Sequence, residues 1–196
     1  MSAHPLDVDL ARPTSRLQPS TIREGDGTEV ALSQYEKHLL CDKDGLYPDE
    51  FNAWERPVLR SELNRSETVA WYRNPDRPSQ DSLGITYWDD NEIRIVRPDF
   101  IFFANDESGK IVADIVDPHS FHLADALPKL KGLANYAAAK GGVFRRIDAV
   151  AVLNDHICKV LDLKEERVRD AIFSATSAQS LYESPIAEDY VLDGGC

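Results

Sequence analysis

Two aspartates in the middle of the chain stand at the ends of hydrophobic segments. Asp99 follows Pro98 and opens the run FIFF, and Asp117 closes the run IVADIV and precedes Pro118. A carboxylate at the edge of a buried strand is costly unless it has a partner, so we expect these acids to have a chemical role. Mg²⁺ binds one or two carboxylates together with waters and phosphate oxygens. The pair therefore predicts a site for Mg²⁺ or Mn²⁺ that activates water for attack on a phosphate.

The two aspartates belong to consecutive predicted strands, 93–103 and 110–117, which are joined by a short polar turn. A short turn favours antiparallel pairing, and the proline before Asp99 predicts a bulge or break there. Asp99 then lies beside Asp117 at one edge of the sheet. Because side chains alternate along a strand, His119 would share a face with Asp117 if the extended backbone continues through the proline between them.

The remaining hydrophobic patterns predict helices and strands around this pair. They are a helix within 49–67 with Pro57 as a kink or in a first turn, strands at 68–73 and 83–88, a helix at 122–140 that ends at Gly141-Gly142, a strand at 145–153, and a helix from the capping-box spacing Asp162–Glu165 to about Tyr182. The order predicts a mixed β-sheet flanked by helices, an α/β sandwich. The strand at 145–153 would return parallel to the strand at 110–117 through a right-handed crossover.

Composition limits the classes of function. The chain has 196 residues, 42% of them hydrophobic, which is enough for one core. A net charge of −12 argues against a protein that binds DNA without a partner, because DNA-binding proteins usually present a basic face. The three cysteines have neither zinc-site nor disulfide spacing, and no segment has the pattern of a membrane span or secretory signal. We therefore expect a cytoplasmic protein.

Proline, glycine and periodicity predict three regions along the chain. Residues 1–34 lack periodic apolar positions and are interpreted as a flexible arm or a partner-docking segment. Residues 35–183 form the folded domain, and residues 184–196 form a C-terminal tail.

The aspartate pair resembles the signature of the PD-(D/E)XK nuclease superfamily. In that signature a Pro-Asp on one strand precedes an acid, any residue and a lysine on the next; here the two parts are Pro98-Asp99 and Asp117-Pro118-His119. Three longer stretches resemble the C-terminal nuclease region of DEAD/DEAH-box helicases of the type III restriction and phage-defence kind. They are EKHLLCDKDGLYPDEFNAWE, AWYRNP and IVDPHSFHLADALPKLKGLANYA. The resemblance covers roughly 35–182 and implies a restriction-endonuclease-like fold with an αβββαβ core.

The resemblance also implies roles for the acidic residues. Asp99 and Asp117 would bind the metal, and Glu55 on the first helix would complete its shell, with Glu62 as the reserve candidate. Asp114 is a competing second acid, but the residue two positions later is a valine. Asp114 also points to the opposite side of its strand, which favours Asp117.

The basic position departs from the family pattern, because His119 stands where lysine is usual. Histidine titrates near neutrality and could act as a base or as a third metal ligand. A lysine from the following helix, Lys129 or Lys131, could substitute, and Lys129 is the better placed of the two. His122 is interpreted as a surface or helix-start residue.

Several other residues have structural as well as functional interpretations. Trp71, Tyr72 and Arg73 could stack on nucleic acid, although Trp71 better fits a core position. His156 and Cys158 have no partner at ligand spacing and are interpreted as structural.

The resemblance implies a Mg²⁺-dependent endodeoxyribonuclease that acts on DNA with a helicase or translocase subunit in restriction or antiphage defence. The alternative, favoured by the acidic charge and by His119, is a catalytically degenerate nuclease-like subunit that only binds partners. A third hypothesis, an acidic mimic of DNA, is disfavoured because the acids are dispersed among basic residues.

Overall fold

The computed structural model describes residues 19–154 and 157–192. Its strands are β1 (Thr21–Arg23), β2 (Glu29–Ala31), β3 (Ser33–Tyr35), β4 (Tyr47–Asp49), β5 (Thr68–Arg73), β6 (Ile85–Asp89), β7 (Glu92–Val96), β8 (Phe100–Asn105), β9 (Ile111–His119), β10 (Phe144–Asn154), β11 (Ile157–Asp162) and β12 (Glu188–Asp189). Its helices are α1 (Glu55–Asn64), α2 (Ala126–Lys140), α3 (Glu166–Ser174) and α4 (Ala178–Tyr182). None of these helices, within the described ranges, has the length and hydrophobicity that crossing a membrane requires.

The chain forms two compact units that meet in sequence between Glu50 and Phe51. The first unit contains two small antiparallel pairs, β1 with β2 and β3 with β4. Within it, the ring of His38 stacks on Tyr47 with centroids 3.6 Å apart.

The second unit is built on a six-stranded sheet in the order β12-β11-β10-β9-β8-β5. β5, β8 and β9 pair antiparallel, and β10 pairs parallel to β9 after the chain has passed through α2. The expected mixed sheet flanked by helices is therefore confirmed, as is the parallel return after α2. The sequence patterns did not predict β11 and β12, which extend the sheet beyond β10.

The two faces of this sheet carry different cores. On one face Phe51 contacts Trp71 and Phe100, with ring centroids 5.9 and 5.6 Å apart. On the other face the buried side chains of α2 pack with those of α3, α4 and β6, in a cluster that includes Ile115 and Leu133. Because neighbouring residues of a strand point to opposite faces, the side chains of β9 are divided between these two layers.

Strands β6 and β7 form a hairpin outside the central sheet. Ile85 and Tyr87 alternate with exposed residues, and Tyr87 packs directly on α2 at Gly132. An alanine Cβ at Gly132 would lie 2.5 Å from the Cβ of Tyr87, so only glycine permits this approach. The expected single strand at 93–103 is interrupted after Val96, which confirms the break predicted at the proline before Asp99.

Several helix boundaries differ from the sequence expectations; α2, for example, begins at Ala126 and not at His122. Pro57 lies in the first turn of α1, one of the two positions expected for it. The expected capping box at Asp162 is wrong, because Asp162 ends β11 and its Oδ1 accepts the N–H of Lys164 in a turn. The expected continuous helix to Tyr182 is broken into α3 and α4, the second of which begins at the N-cap Ser177.

Candidate active site

Asp99 and Asp117 lie next to each other on β8 and β9. Phe100 pairs with Val116, so Asp99, one residue before β8, is opposite Asp117. The backbone N–H of Asp99 donates to Oδ1 of Asp117 over 3.1 Å. β9 continues through Pro118 to His119 and pairs with β10 along this length, so Asp117 lies inside its strand and not at its end.

Asn74, which sequence reasoning did not single out, holds the segment before Asp99. Its backbone N–H donates to the carbonyl of Asp99 over 2.9 Å, and its Nδ2 donates to the carbonyl of Pro98 over 2.8 Å. Its Oδ1 accepts the N–H of Leu83 over 2.8 Å. The side chain is almost completely buried, so these bonds connect β5, β8 and the segment before β6.

Arg73 joins the first helix to the aspartate pair. One guanidinium nitrogen lies 2.7 Å from Oε1 of Glu55, and the other lies 3.4 Å from Oδ1 of Asp99. The guanidinium also lies over the rings of Phe51 and Phe100, 5.3 and 5.1 Å from their centroids. Arg73, a candidate for stacking on nucleic acid, is here an internal cation.

Glu55 is buried, and both of its carboxylate oxygens have partners. Oε1 accepts from Arg73, and Oε2 accepts the N–H of Asn52 over 3.0 Å, while Oδ1 of Asn52 accepts the N–H of Glu55 over 2.8 Å. This reciprocal pair caps the first turn of α1. Glu55 is therefore connected to Asp99 through Arg73.

The surroundings of Asp99 favour its protonated form. Burial raises the pKa of Asp99 to about 8, with a further contribution from the negative charge of Asp117. Arg73 and Lys129 act in the opposite direction, and Glu55 adds to the increase. A carboxyl group with this pKa exchanges its proton for a cation near neutral pH.

His119 has partners for both ring nitrogens. Its Nδ1 lies 3.2 Å from the carbonyl oxygen and 3.6 Å from Oδ2 of Asp117, and its Nε2 lies 2.9 Å from the hydroxyl of Tyr182. Burial raises the pKa of Tyr182 well above its usual value, so its hydroxyl remains a donor. The carbonyl oxygen of Asp117 can only accept, so a hydrogen bond at this contact requires a proton on Nδ1 of His119.

These side chains border a cleft of about 240 Å³. Its described lining consists of Asp76, Ile95, Val96, Arg97, Asp99, Asp117, Pro118, His119 and Lys129. Lys129 reaches it from α2, where its Nζ lies 2.8 Å from Oδ2 of Asp125. Lys131 and His122 are not among these lining residues; His122 is exposed, with its ring 4.0 Å from that of Phe121.

Asp114 and Glu62, the two competing acids, lie on the other face of the sheet. Asp114 is fully buried and pairs with Arg145 and Arg146, and Arg146 lies 2.7 Å from Oε2 of Glu62. The hydroxyl of Tyr190 donates to the remaining oxygen of Glu62. Both acids are thus neutralised inside the protein, away from the cleft.

The other residues considered from the sequence occupy structural positions. Trp71 is completely buried in the core, and the hydroxyl of Tyr72 donates to the carbonyl of Asp81 over 3.1 Å. Cys158 is buried in β11. His156 lies outside the described residues.

The donor set fits a divalent cation that takes few protein ligands. In the parts of the chain that the structure describes, no three histidine, cysteine or acidic side chains form a ready metal centre. Asp99 and Asp117 nevertheless offer two adjacent carboxylates in an open cleft, and one of them has its pKa raised by the other. Mg²⁺ retains several waters and is bound through one or two carboxylates, so these two residues could hold it.

Comparisons with known proteins place the chain in a family. The model of the YagJ family matches residues 36–191. Protein YagJ of Escherichia coli (strain K12) is 48% identical over 190 residues, which span 97% of this chain and 77% of that protein. No solved structure shows significant similarity. The chain belongs to the YagJ family.

Proposed function

We propose that this protein is a metal-dependent endodeoxyribonuclease with a restriction-endonuclease-like fold. The observation that carries the proposal is the pairing of Asp99 with Asp117 at a cleft, where the pKa of Asp99 is raised to about 8. The fold adds support, because α1, β5, β8, β9, α2 and β10 occur in the αβββαβ order, with the β6–β7 hairpin inserted between β5 and β8 outside the central sheet. The resemblance of Pro98-Asp99 and Asp117-Pro118-His119 to the PD-(D/E)XK signature points in the same direction.

In this proposal Asp99 and Asp117 hold Mg²⁺ or Mn²⁺. Such an ion, when bound, lowers the pKa of a coordinated water and stabilises negative charge on a phosphate. Arg73 orients Asp99, and Glu55 supports the site by holding Arg73. The roles of these two residues are therefore positional.

Lys129 is the better candidate for the basic residue of the site. His119 uses both ring nitrogens in contacts with Asp117 and Tyr182, so its role is to orient Asp117. Lys129 lines the cleft from α2 and carries a permanent charge that can orient a water or offset charge on the phosphate. Its ion pair with Asp125 is partly exposed and is therefore weak enough to rearrange.

We propose that a helicase or translocase subunit presents DNA to this nuclease in restriction or antiphage defence. The net charge of −12 supports a partner, because an acidic protein gains little from counterion release on DNA. Copurification of the tagged chain from its own cells, followed by mass spectrometry, tests this part. Recovery of no nucleic-acid motor protein would argue against it.

A second candidate function is that of a nuclease-like subunit without catalysis. It is favoured by the guanidinium of Arg73, 3.4 Å from Asp99, which supplies positive charge where a nuclease would use a metal ion. In that case the aspartate pair serves only the internal ion network, and the acidic surface serves partner binding.

The two functions are distinguished by comparing Asp117→Asn with Asp170→Asn, which makes the same change in charge. Asp170 is an exposed residue of α3. The purified chain is incubated with Mg²⁺ or Mn²⁺ and with duplex or single-stranded DNA. We expect Asp117→Asn to lower cleavage by more than about 100-fold and Asp170→Asn to leave it unchanged. Equal cleavage by both variants would reject the nuclease proposal. Absence of cleavage by the wild type, with no Mn²⁺ binding that depends on Asp99, would support the second candidate.

A further inference from the structure

Arg97 lies in the same cleft as the aspartate pair but has no partner there. It follows β7 and precedes Asp99 by two residues, and it is half-buried. Its Nε is buried and has no hydrogen-bond acceptor among the described residues. The guanidinium lies along Gly84, where an added Cβ would be 3.9 Å from one terminal nitrogen and 4.0 Å from Nε.

The missing partner is informative because acids line the same cleft. Asp76, Asp99 and Asp117 all border it, yet Arg97 forms no ion pair with any described carboxylate. Arg73, which also lies near the aspartates, differs from Arg97 because it pairs with Glu55 and Asp99. Because Nε is shielded from solvent, a ligand in the cleft would meet the terminal nitrogens of the guanidinium, which have no ion pair with a described residue.

The other basic residues of the cleft are already engaged. In the described lining, His119 contacts Asp117 and Tyr182, and Lys129 pairs with Asp125. Of these three residues, Arg97 is therefore the one that can contact a ligand without first leaving a partner in the protein. A planar guanidinium with several donors binds the oxygens of a phosphate in a two-point arrangement.

We propose that Arg97 binds a phosphate of a polynucleotide, beside the phosphate that faces Asp99 and Asp117. This inference rests on the proposed function and names the contact that holds its substrate in register. A lone small anion would be repelled by the two carboxylates, whereas a polynucleotide supplies successive phosphates along one strand. Ile95 and Val96 add an apolar wall to the same cleft, suited to the sugar between two phosphates.

The test measures binding without cleavage. The wild type is titrated against a fluorescent single-stranded oligodeoxynucleotide at low ionic strength, with Ca²⁺ in place of Mg²⁺ or Mn²⁺, and anisotropy is recorded at several salt concentrations. Arg97→Gln is compared with Arg60→Gln, which makes the same change in charge. Arg60 is an exposed residue of α1, in the opposite layer of the protein. We expect Arg97→Gln to weaken binding about tenfold and to reduce the salt slope by about 0.7, the value for one phosphate contact to a single strand. Arg60→Gln should leave both quantities near the wild-type values.

Arg97→Lys keeps the charge and removes the two-point geometry, so we expect it to retain the salt slope and to lose part of the affinity. If circular dichroism shows that Arg97→Gln does not fold, Arg97→Lys serves as the test variant in its place. Wild-type affinity in Arg97→Gln, or in Arg97→Lys if only that variant folds, would overturn the inference, as would a wild type that binds no oligonucleotide. Competition by inorganic phosphate as effective as competition by unlabelled oligonucleotide would overturn the polynucleotide assignment.

The outcomes for Arg97 and for the nuclease proposal are separable. Binding that depends on Arg97, without cleavage under any divalent metal, would support the phosphate contact and count against catalysis. Cleavage that depends on Asp117, with Arg97→Gln binding like the wild type, would support catalysis and reject the contact.

Discussion

The backbone N–H of Asp99 donates to the side chain of Asp117 over 3.1 Å, although the two residues are 18 positions apart in the chain. This bond fixes one carboxylate oxygen of Asp117 and aligns the start of β8 with β9. It leaves the side chain of Asp99 to its interactions with Arg73 and with the charge of Asp117. The proposed binding of a cation by this pair therefore depends first on the protonation of Asp99.

Metal binding should release a proton from Asp99 below pH 8. Because the pKa of this carboxyl is raised to about 8, a cation must displace its proton at lower pH. We expect the apparent affinity for Mn²⁺ to rise by up to about tenfold per pH unit from pH 6 to pH 8 and then to level. Calorimetry in two buffers of different ionisation enthalpy should show about one proton released per ion at pH 6.5. Absence of proton release at that pH would contradict the assignment, and Asp170→Asn serves as the control.

Asp99→Asn should stabilise the metal-free protein at high pH. The folded-state pKa of about 8 exceeds the ordinary value of 3.8, so the native carboxyl holds its proton more tightly than the unfolded one. The stability contributed by that proton is present below pH 4 and is lost as the pH rises to about 8. We expect the variant and the wild type to unfold alike near pH 4 and to differ by about 2 kcal/mol at pH 8, less than full linkage because the side chain is partly in water. Urea titrations at the two pH values measure this, and a constant difference would argue against the raised pKa.

Arg73→Gln should destabilise the fold because it leaves Glu55 buried without its cation. Glu55 is only 5% exposed, and Arg73 is its charged partner at 2.7 Å. We expect the free energy of unfolding to fall by about 3 kcal/mol. The control is Arg77→Gln, whose pairing with Asp76 at 3.9 Å is almost fully in water and should contribute under about 0.5 kcal/mol. Urea denaturation that gave the two variants the same midpoint would refute the role assigned to Arg73.

Arg146→Met should be more damaging than removal of a surface arginine. Arg146 contacts Asp114, Glu62 and Asp148, all of which are buried. Its removal leaves this cluster with excess negative charge, for which we expect a loss of about 3–5 kcal/mol. The matched variant Arg167→Met, whose pair with Glu188 is exposed, should cost under about 1 kcal/mol. Thermal unfolding at neutral pH distinguishes the two, and equal melting temperatures would contradict the prediction.

Gly132→Ala should weaken the contact between α2 and the β6–β7 hairpin. The new Cβ would lie 2.5 Å from the Cβ of Tyr87, which is too close for either residue without a shift. We expect a loss of about 1–3 kcal/mol, against the roughly 1 kcal/mol by which alanine otherwise favours a helix. Gly142→Ala, which meets no atom within 4 Å, is the control and should be near neutral. A stabilised Gly132→Ala protein, measured by urea denaturation, would show that the hairpin moves freely on the helix.

The central pairing was predictable because its signals are local. The polar turn between β8 and β9 implies antiparallel pairing, and the position of each acid in its strand then brings Asp99 beside Asp117. The departure of the β6–β7 hairpin from the sheet was not predictable in this way. Its alternating pattern fits any half-buried strand, and only the approach of Tyr87 to Gly132 selects the surface of α2.

The partners of the aspartates could not be derived from spacing. Tyr182 reaches His119 across 63 residues, and Arg73 links Asp99 to Glu55 through the geometry of one side chain. An arginine at a strand end is equally compatible with a surface position, so the sequence pattern gives no preference. Long-range side-chain contacts of this kind follow from packing and not from periodicity.

β9 carries an acid for each layer of the protein, with Asp114 on one side and Asp117 on the other. A slip of this strand by one residue would exchange their sides and would take Asp114 away from Arg145 and Arg146. The ion pairs of Asp114 with Arg145 and Arg146 therefore oppose a slip of β9 that would also separate Asp117 from Asp99. Substitution of Arg145 or Arg146 should therefore disturb the pairing of Asp99 with Asp117, although neither arginine lines the cleft.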